Sequence, residues 1–251
     1  MVYFDLTDSL FYIFIFLLGL VVGSFLYCLI YRLETGKGFL RGRSFCPRCG
    51  RRLGLWDLIP ILSFLALRGR CRYCGQQISL QYPLVELATG VLFLLIFLVG
   101  VNNYAMALLF TFFGVVIFVY DLKHYLIPDK VIYPAISAAL IFNLGTSDVF
   151  VSALASAFGA AAFFGTIVLI SRGKWMGVGD IKLAFLMGLV LSFPNILVAL
   201  FLAFLIGAII GIGLILWGDK TLKSEVPFGP FLVTGTLIAM FWGERLAGWY
   251  I

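Results

Sequence analysis

Two short acidic clusters hold the residues best placed to do chemistry. One reads Asp121-Leu-Lys-His-Tyr-Leu-Ile-Pro-Asp129 and the other Gly177-Val-Gly-Asp180-Ile-Lys182, each where an apolar run meets polar sequence. Ionisable groups at membrane depth are costly and mark functional positions. Two carboxyl groups brought together cannot both ionise easily, so one keeps a proton while the other accepts one from water. Such a pair can deliver an activated water to a peptide carbonyl, with the protonated partner hydrogen-bonding the developing oxyanion. Asp121 and Asp180 are the candidate pair, and Gly177 and Gly179 would let an extended substrate backbone come close. A plainer reading stands beside this one: Asp180 and Asp129 would serve equally as N-caps of the helices they precede. His124, the one histidine, has no serine or cysteine constellation around it and reads as a surface residue beside Lys123. Lys182 stands where a dinucleotide-binding turn would need its third glycine, so that reading is excluded.

The cysteines offer a different chemistry. Four of the five form Cys46-Pro-Arg-Cys49-Gly and Cys71-Arg-Tyr-Cys74-Gly, an internal repeat with 21 residues between the pairs. Each pair brings two thiolates together, and the glycine that follows relieves the backbone as it curls toward the sulfurs. Cys46, Cys49, Cys71 and Cys74 would close a tetrahedral zinc site with no open position, so the metal is expected to be structural. A pair of disulfides is the competing reading, and a reducing cytosolic location disfavours it. Cys28, inside the first apolar run, reads as an inert buried thiol.

These groups need elements to position them, and the composition says which kind. Of 251 residues, 63% are apolar and only 12% charged, far from a soluble globular domain. The run from Leu10 to Leu29 is flanked by Asp5 and Asp8 and precedes no cleavage pattern, so it reads as a retained span, not a signal. A spanning helix needs roughly 20 apolar residues. On that ruler eight spans are predicted, at 10–31, 84–101, 104–120, 131–146, 149–171, 181–193, 195–217 and 228–243. The chain then divides into a first helix (1–31), a cysteine module (32–83) and a membrane bundle (84–251). With the N-terminus outside, the segments 32–83, 121–130, 172–182 and 218–227 lie inside and hold 17 of the 18 basic residues, leaving only Arg245 outside. A wrong span count would invert everything after the error, so the count supports eight spans with both acidic clusters on the cytoplasmic side. The ten basic residues between Arg32 and Tyr82 therefore report orientation and contact with anionic lipid, not nucleic acid. Glycines at four-residue spacing, Gly19 with Gly23 and Gly207 with Gly211, predict close helix packing.

Several motifs together give the chain a likeness to a known family. Gly23-Ser24-Phe25 with Tyr31-Arg32, the doubled cysteine turn, Gly69 to Cys74 and Ile78-Ser79 come first. Tyr82-Pro83-Leu84-Val85-Glu86, Asp121 to Asp129, Gly177 to Leu183 and Pro227 to Leu232 follow in order. In these the sequence resembles the type 4 prepilin peptidases, bifunctional leader peptidases and N-methyltransferases of pilus assembly and type II secretion. The resemblance implies an all-α polytopic protein of the bacterial inner membrane with about eight transmembrane helices. Asp121 and Asp180 match the catalytic aspartates of Gly-x-Gly-Asp membrane proteases, and Asp129 matches a motif residue not assigned catalysis. The implied substrate is a prepilin or pseudopilin with a short basic leader, cut after a glycine at the cytoplasmic boundary. Transfer of a methyl group from S-adenosylmethionine to the new N-terminus is also implied, and is linked to the N-terminal cytoplasmic region. Tyr27 and Glu34 stand where the family commonly has asparagine and proline. Glu86, at the start of the second span, is the polar candidate for the cofactor, with an interfacial role as the alternative.

Readings from other classes stay open. An ion-coupled transporter would use the aspartates to bind protons or cations, though these acids sit at span ends and no inverted repeat is visible. A scaffold would dock partners through the zinc module and tolerate loss of both aspartates. A peptidase lacking methylation is the narrower alternative.

Overall fold

The computed structural model describes residues 6–36, 44–145, 147–216 and 226–248. Lys37, Arg41, Arg43, Lys220 and Lys223 of the charge count lie outside the described residues. Nine α-helices are found among those residues: α1 (Leu6–Glu34), α2 (Leu62–Ala66), α3 (Gln81–Val99), α4 (Tyr104–His124), α5 (Asp129–Leu144), α6 (Ser147–Ser171), α7 (Val178–Leu191), α8 (Asn195–Leu216) and α9 (Gly229–Ala247). All but the short α2 fall on the eight predicted spans. Five of them, α1, α3, α4, α6 and α8, are long and apolar enough to cross a membrane. With 14 residues, α7 rises only about 21 Å against a hydrocarbon core of about 30 Å. Large apolar side chains face outward along these helices, among them Phe14 on α1, Phe158 on α6 and Ile209 on α8. Unpartnered apolar faces of this extent suit lipid and not water.

The chain forms two compact units, Met1–Gly100 and Val101–Ile251. In the first, α3 packs along α1, so the helix that the sequence grouped with the later bundle belongs to the first unit. Small residues set that contact. A Cβ on Gly19 would lie 2.8 Å from the Gly90 Cα, and one on Gly23 would lie 2.8 Å from the Glu86 Cα. The cysteine module runs between the two helices and, among the described residues, holds α2 and one 3₁₀ turn, Leu55–Leu58.

The second unit contains α4 to α9. Asn103 starts α4 by accepting the Met106 amide at 3.0 Å, and Tyr125 ends it in a left-handed conformation with φ 55°. The end lies four residues beyond the predicted 120, because Leu122-Lys123-His124 stay helical after the apolar run stops. Gly188 of α7 packs on Ala157 of α6, and Gly235 of α9 on Ala199 of α8. Gly207 meets Phe231, but Gly211 faces open space, so the predicted second glycine pair is only half used in packing.

Candidate active site

Asp121 lies inside α4, one turn from its end, and is buried with 4% of its surface exposed. Its Oδ2 accepts the amide of Gly229, the first residue of α9, at 3.0 Å. The next residue, Pro230, has no N–H to offer, so Gly229 supplies this free amide of the helix start. A Cβ on Gly229 would stand 2.5 Å from Asp121 Oδ2, so only glycine permits the approach. Asp180 sits in the first turn of α7, 8% exposed, and its Oδ2 accepts the Gly177 amide at 3.1 Å. It therefore does satisfy one helix-start donor, from the third helical position and not from the N-cap. Each carboxyl group commits one oxygen to a backbone amide and, among the described residues, keeps Oδ1 for another partner.

The helices carrying these groups meet: α4, α7 and α9 each contact the other two. Asp121 lies close enough to Asp180 for its charge to act on that carboxyl group. Residues 59 positions apart in sequence are thus brought into one electrostatic neighbourhood within the second unit.

The remaining members of the two acidic clusters take other tasks. Asp129 begins α5 and pairs with Lys182 of α7 at 2.5 Å, with most of its side chain exposed. Lys182 also lies 4.9 Å from the centre of the Tyr133 ring. This ion pair ties α5 to α7 and leaves Asp129 unlike the two buried acids. His124 is exposed and stacks against Tyr120, ring centres 4.5 Å apart. Buried Ile127 covers Gly179, where a Cβ would meet its Cβ at 3.1 Å. Gly177 is less enclosed, its nearest neighbours being Asp180 and Gly179 at 3.9 Å. The role of Gly229 is the residue-level feature that sequence reading missed. Its signal was Pro227-Phe228-Gly229-Pro230, a helix start with a proline one residue in.

In the first unit, the cysteine turns repeat one another in hydrogen bonding. The Gly50 amide donates to the Cys46 carbonyl and the Gly75 amide to that of Cys71, at 2.9 and 3.0 Å. Both glycines have left-handed φ, 67° and 68°. Isolated bridges, Phe45 with Arg52 and Arg70 with Gln77, close the two loops. The four sulfurs all lie within 4.8 Å of one another, with Cys46 and Cys74 at 3.8 Å. A tetrahedral zinc with Zn–S of about 2.3 Å needs sulfurs about 3.8 Å apart, so the cluster fits that ion. The clustered thiols shift one another in opposite directions. The Cys49 amide, foremost among several donors, draws the Cys46 thiol down to about 7. The Gln76 amide favours a Cys74 thiolate, but burial and three neighbouring sulfurs outweigh it and push that thiol up to about 11. A zinc ion bound among the four sulfurs would hold all of them as thiolates.

Glu86 of α3 is buried, 6% exposed, and accepts the Ile61 amide at 2.7 Å. It lines a cavity of about 510 Å³ enclosed by α1, the start of α3 and the cysteine module, all within the first unit.

Comparison with known proteins adds an independent line. Residues 17–99 match the model of the bacterial peptidase A24 N-terminal domain, and residues 108–212 that of the type IV leader peptidase family. The chain is 32% identical to a prepilin leader peptidase/N-methyltransferase of Aeromonas salmonicida, over 96% of this chain and 94% of that protein. It is 33% identical to the protein of the same name from Bacillus subtilis, over 94% and 96% of the two chains. The one from Legionella pneumophila is 34% identical, over 96% and 94%. No solved structure matches the chain.

Proposed function

The chain belongs to the type IV leader peptidase family, and from that premise we propose that it cuts prepilin or pseudopilin precursors with Asp121 and Asp180 and then N-methylates the product. The carrying observation is the pair of buried carboxyl groups on the mutually packed helices α4 and α7. The two exchange roles as general base and general acid toward one water. Backbone amides hold one oxygen of each acid, which fixes the geometry and leaves the other to meet water or the scissile carbonyl. Gly177 offers the open approach for the substrate backbone. At Gly179 the space is taken by Ile127, so a strand passing there requires that side chain to move.

The site faces the cytoplasm of the bacterial inner membrane, with the N-terminus periplasmic, because 17 of 18 basic residues then lie inside. Cys46, Cys49, Cys71 and Cys74 hold a structural zinc that supplies folding energy to the module. The methyl group comes from S-adenosylmethionine, bound in the first unit.

Incubating the purified protein with a synthetic precursor and measuring intact mass tests both activities. Loss of the leader is expected without cofactor, with a further gain of about 14 Da, one methyl, when S-adenosylmethionine is added. An uncut precursor contradicts the peptidase, and a cut but never methylated product contradicts the transferase.

A further inference from the structure

The cavity of the first unit contains a buried carboxyl group that has only neutral hydrogen-bond partners. Glu86 projects into it from α3, and its hydrogen bonds are with neutral groups, the Ile61 amide and the Ser24 hydroxyl. No basic side chain pairs with it among the described residues. Three arginines line the cavity, Arg32 from the last turn of α1 and Arg48 and Arg72 from the module, where Arg72 is engaged by Asp57 at 2.7 Å and Arg48 by Gln76. Beside Glu86 stand three aromatic rings, Tyr27, Tyr31 and Tyr82, the first and last with centres 3.8 Å apart. A buried carboxylate without a counter-ion is costly. Aromatic faces beside it attract the same kind of partner, a weakly hydrated cation. The volume, about 510 Å³, lies within the range of small-ligand sites.

We propose that this cavity receives the sulfonium cation of the methyl donor, with Glu86 as its counter-charge and Tyr27, Tyr31 and Tyr82 as its walls. The proposal rests on the methylation reading above and adds how the donor is told from its product. Methyl transfer moves a carbon from sulfur to the amine nitrogen; sulfur keeps the bonding pair and becomes neutral, and nitrogen releases a proton to water. Glu86 therefore holds the charged donor and loses its attraction for the spent, neutral thioether.

Titration calorimetry of the zinc-loaded protein with S-adenosylmethionine and with S-adenosylhomocysteine reads this preference directly. The wild type is expected to bind the sulfonium more tightly by about tenfold or more. Glu86→Gln keeps an acceptor for the Ile61 amide but removes the charge, and the ratio should fall to within about twofold of unity. Tyr82→Phe keeps the ring face and should keep the ratio, whereas Tyr82→Leu should lower it; unchanged zinc content shows that the module is folded. A ratio unchanged in both Glu86→Gln and Tyr82→Leu overturns the proposal while leaving methylation intact. A wild type that binds neither compound and methylates nothing overturns both.

Discussion

Gly229 has no side chain, and that gap is what brings Asp121 to the first amide of α9. Gly229→Ala would place a methyl carbon 2.5 Å from Oδ2. The aspartate must turn or α9 must shift, and a misplacement of about 1 Å can cost about 100-fold in rate. Cleavage by Gly229→Ala is thus expected to fall about 100-fold, with zinc content unchanged; a near-normal rate would show that the Gly229 contact does not position Asp121. At this scale the two aspartates stood out as candidates because carboxylates at the ends of apolar runs are rare and expensive. Their support did not. The Gly229 amide lies 108 residues from Asp121, and no local pattern links a helix start to an acid that far away. Glu86 was visible as an odd polar residue in an apolar run, but its cavity exists only once α1, α3 and the cysteine module have packed.

Among the elements, the cysteine module is the most dependent on single groups. Asp57, at the end of its 3₁₀ turn, accepts the Gly54 amide and the Arg72 guanidinium at 3.1 and 2.7 Å. Burial works against its charge, yet these two partners together hold the carboxyl group below its ordinary value. A carboxyl group lowered in the folded state stabilises above its unfolded pKa and loses that contribution as pH falls through the folded one. Asp57→Asn should therefore destabilise the module at pH 7, by about 1–3 kcal/mol. The gap from wild type should narrow below about pH 4, where the unfolded aspartate already takes up a proton. Thermal unfolding of both proteins across pH measures it, and a pH-independent gap would assign the loss to something other than charge. The doubled Cys-x-x-Cys-Gly made these turns legible, since thiolate pairs and the left-handed glycine are local requirements. The small helices between them were not foreseen, because Leu55 to Ala66 is too short and too mixed for a periodic pattern to form. The long helices were predicted to within a few residues; α4 runs past its apolar run through Leu122 to His124, whereas α3, α5 and α7 each stop two residues short of the predicted end.

For the whole molecule, the eight helices were readable because lipid demands uninterrupted apolar runs, and five of them are long and apolar enough to cross a membrane. The boundary between units was less so. An apolar run announces a span but not which partner it packs on, and α3 turned out to pair with α1 through Gly19, Gly23 and Gly90. The charge count makes its own prediction: a cysteine placed at Asn102 should react with a membrane-impermeant maleimide from the periplasmic side, whereas one at Lys174 should not. The opposite pattern would invert the topology. The central claim is that Asp121 and Asp180 act as one catalytic unit, and single-turnover cleavage of a synthetic precursor by purified Asp121→Asn and Asp180→Asn proteins tests it most directly. Each substitution keeps an acceptor for its backbone amide, so each variant should fold, load zinc and yet cut more slowly by about 100- to 10,000-fold. Wild-type cleavage by either variant would contradict the claim.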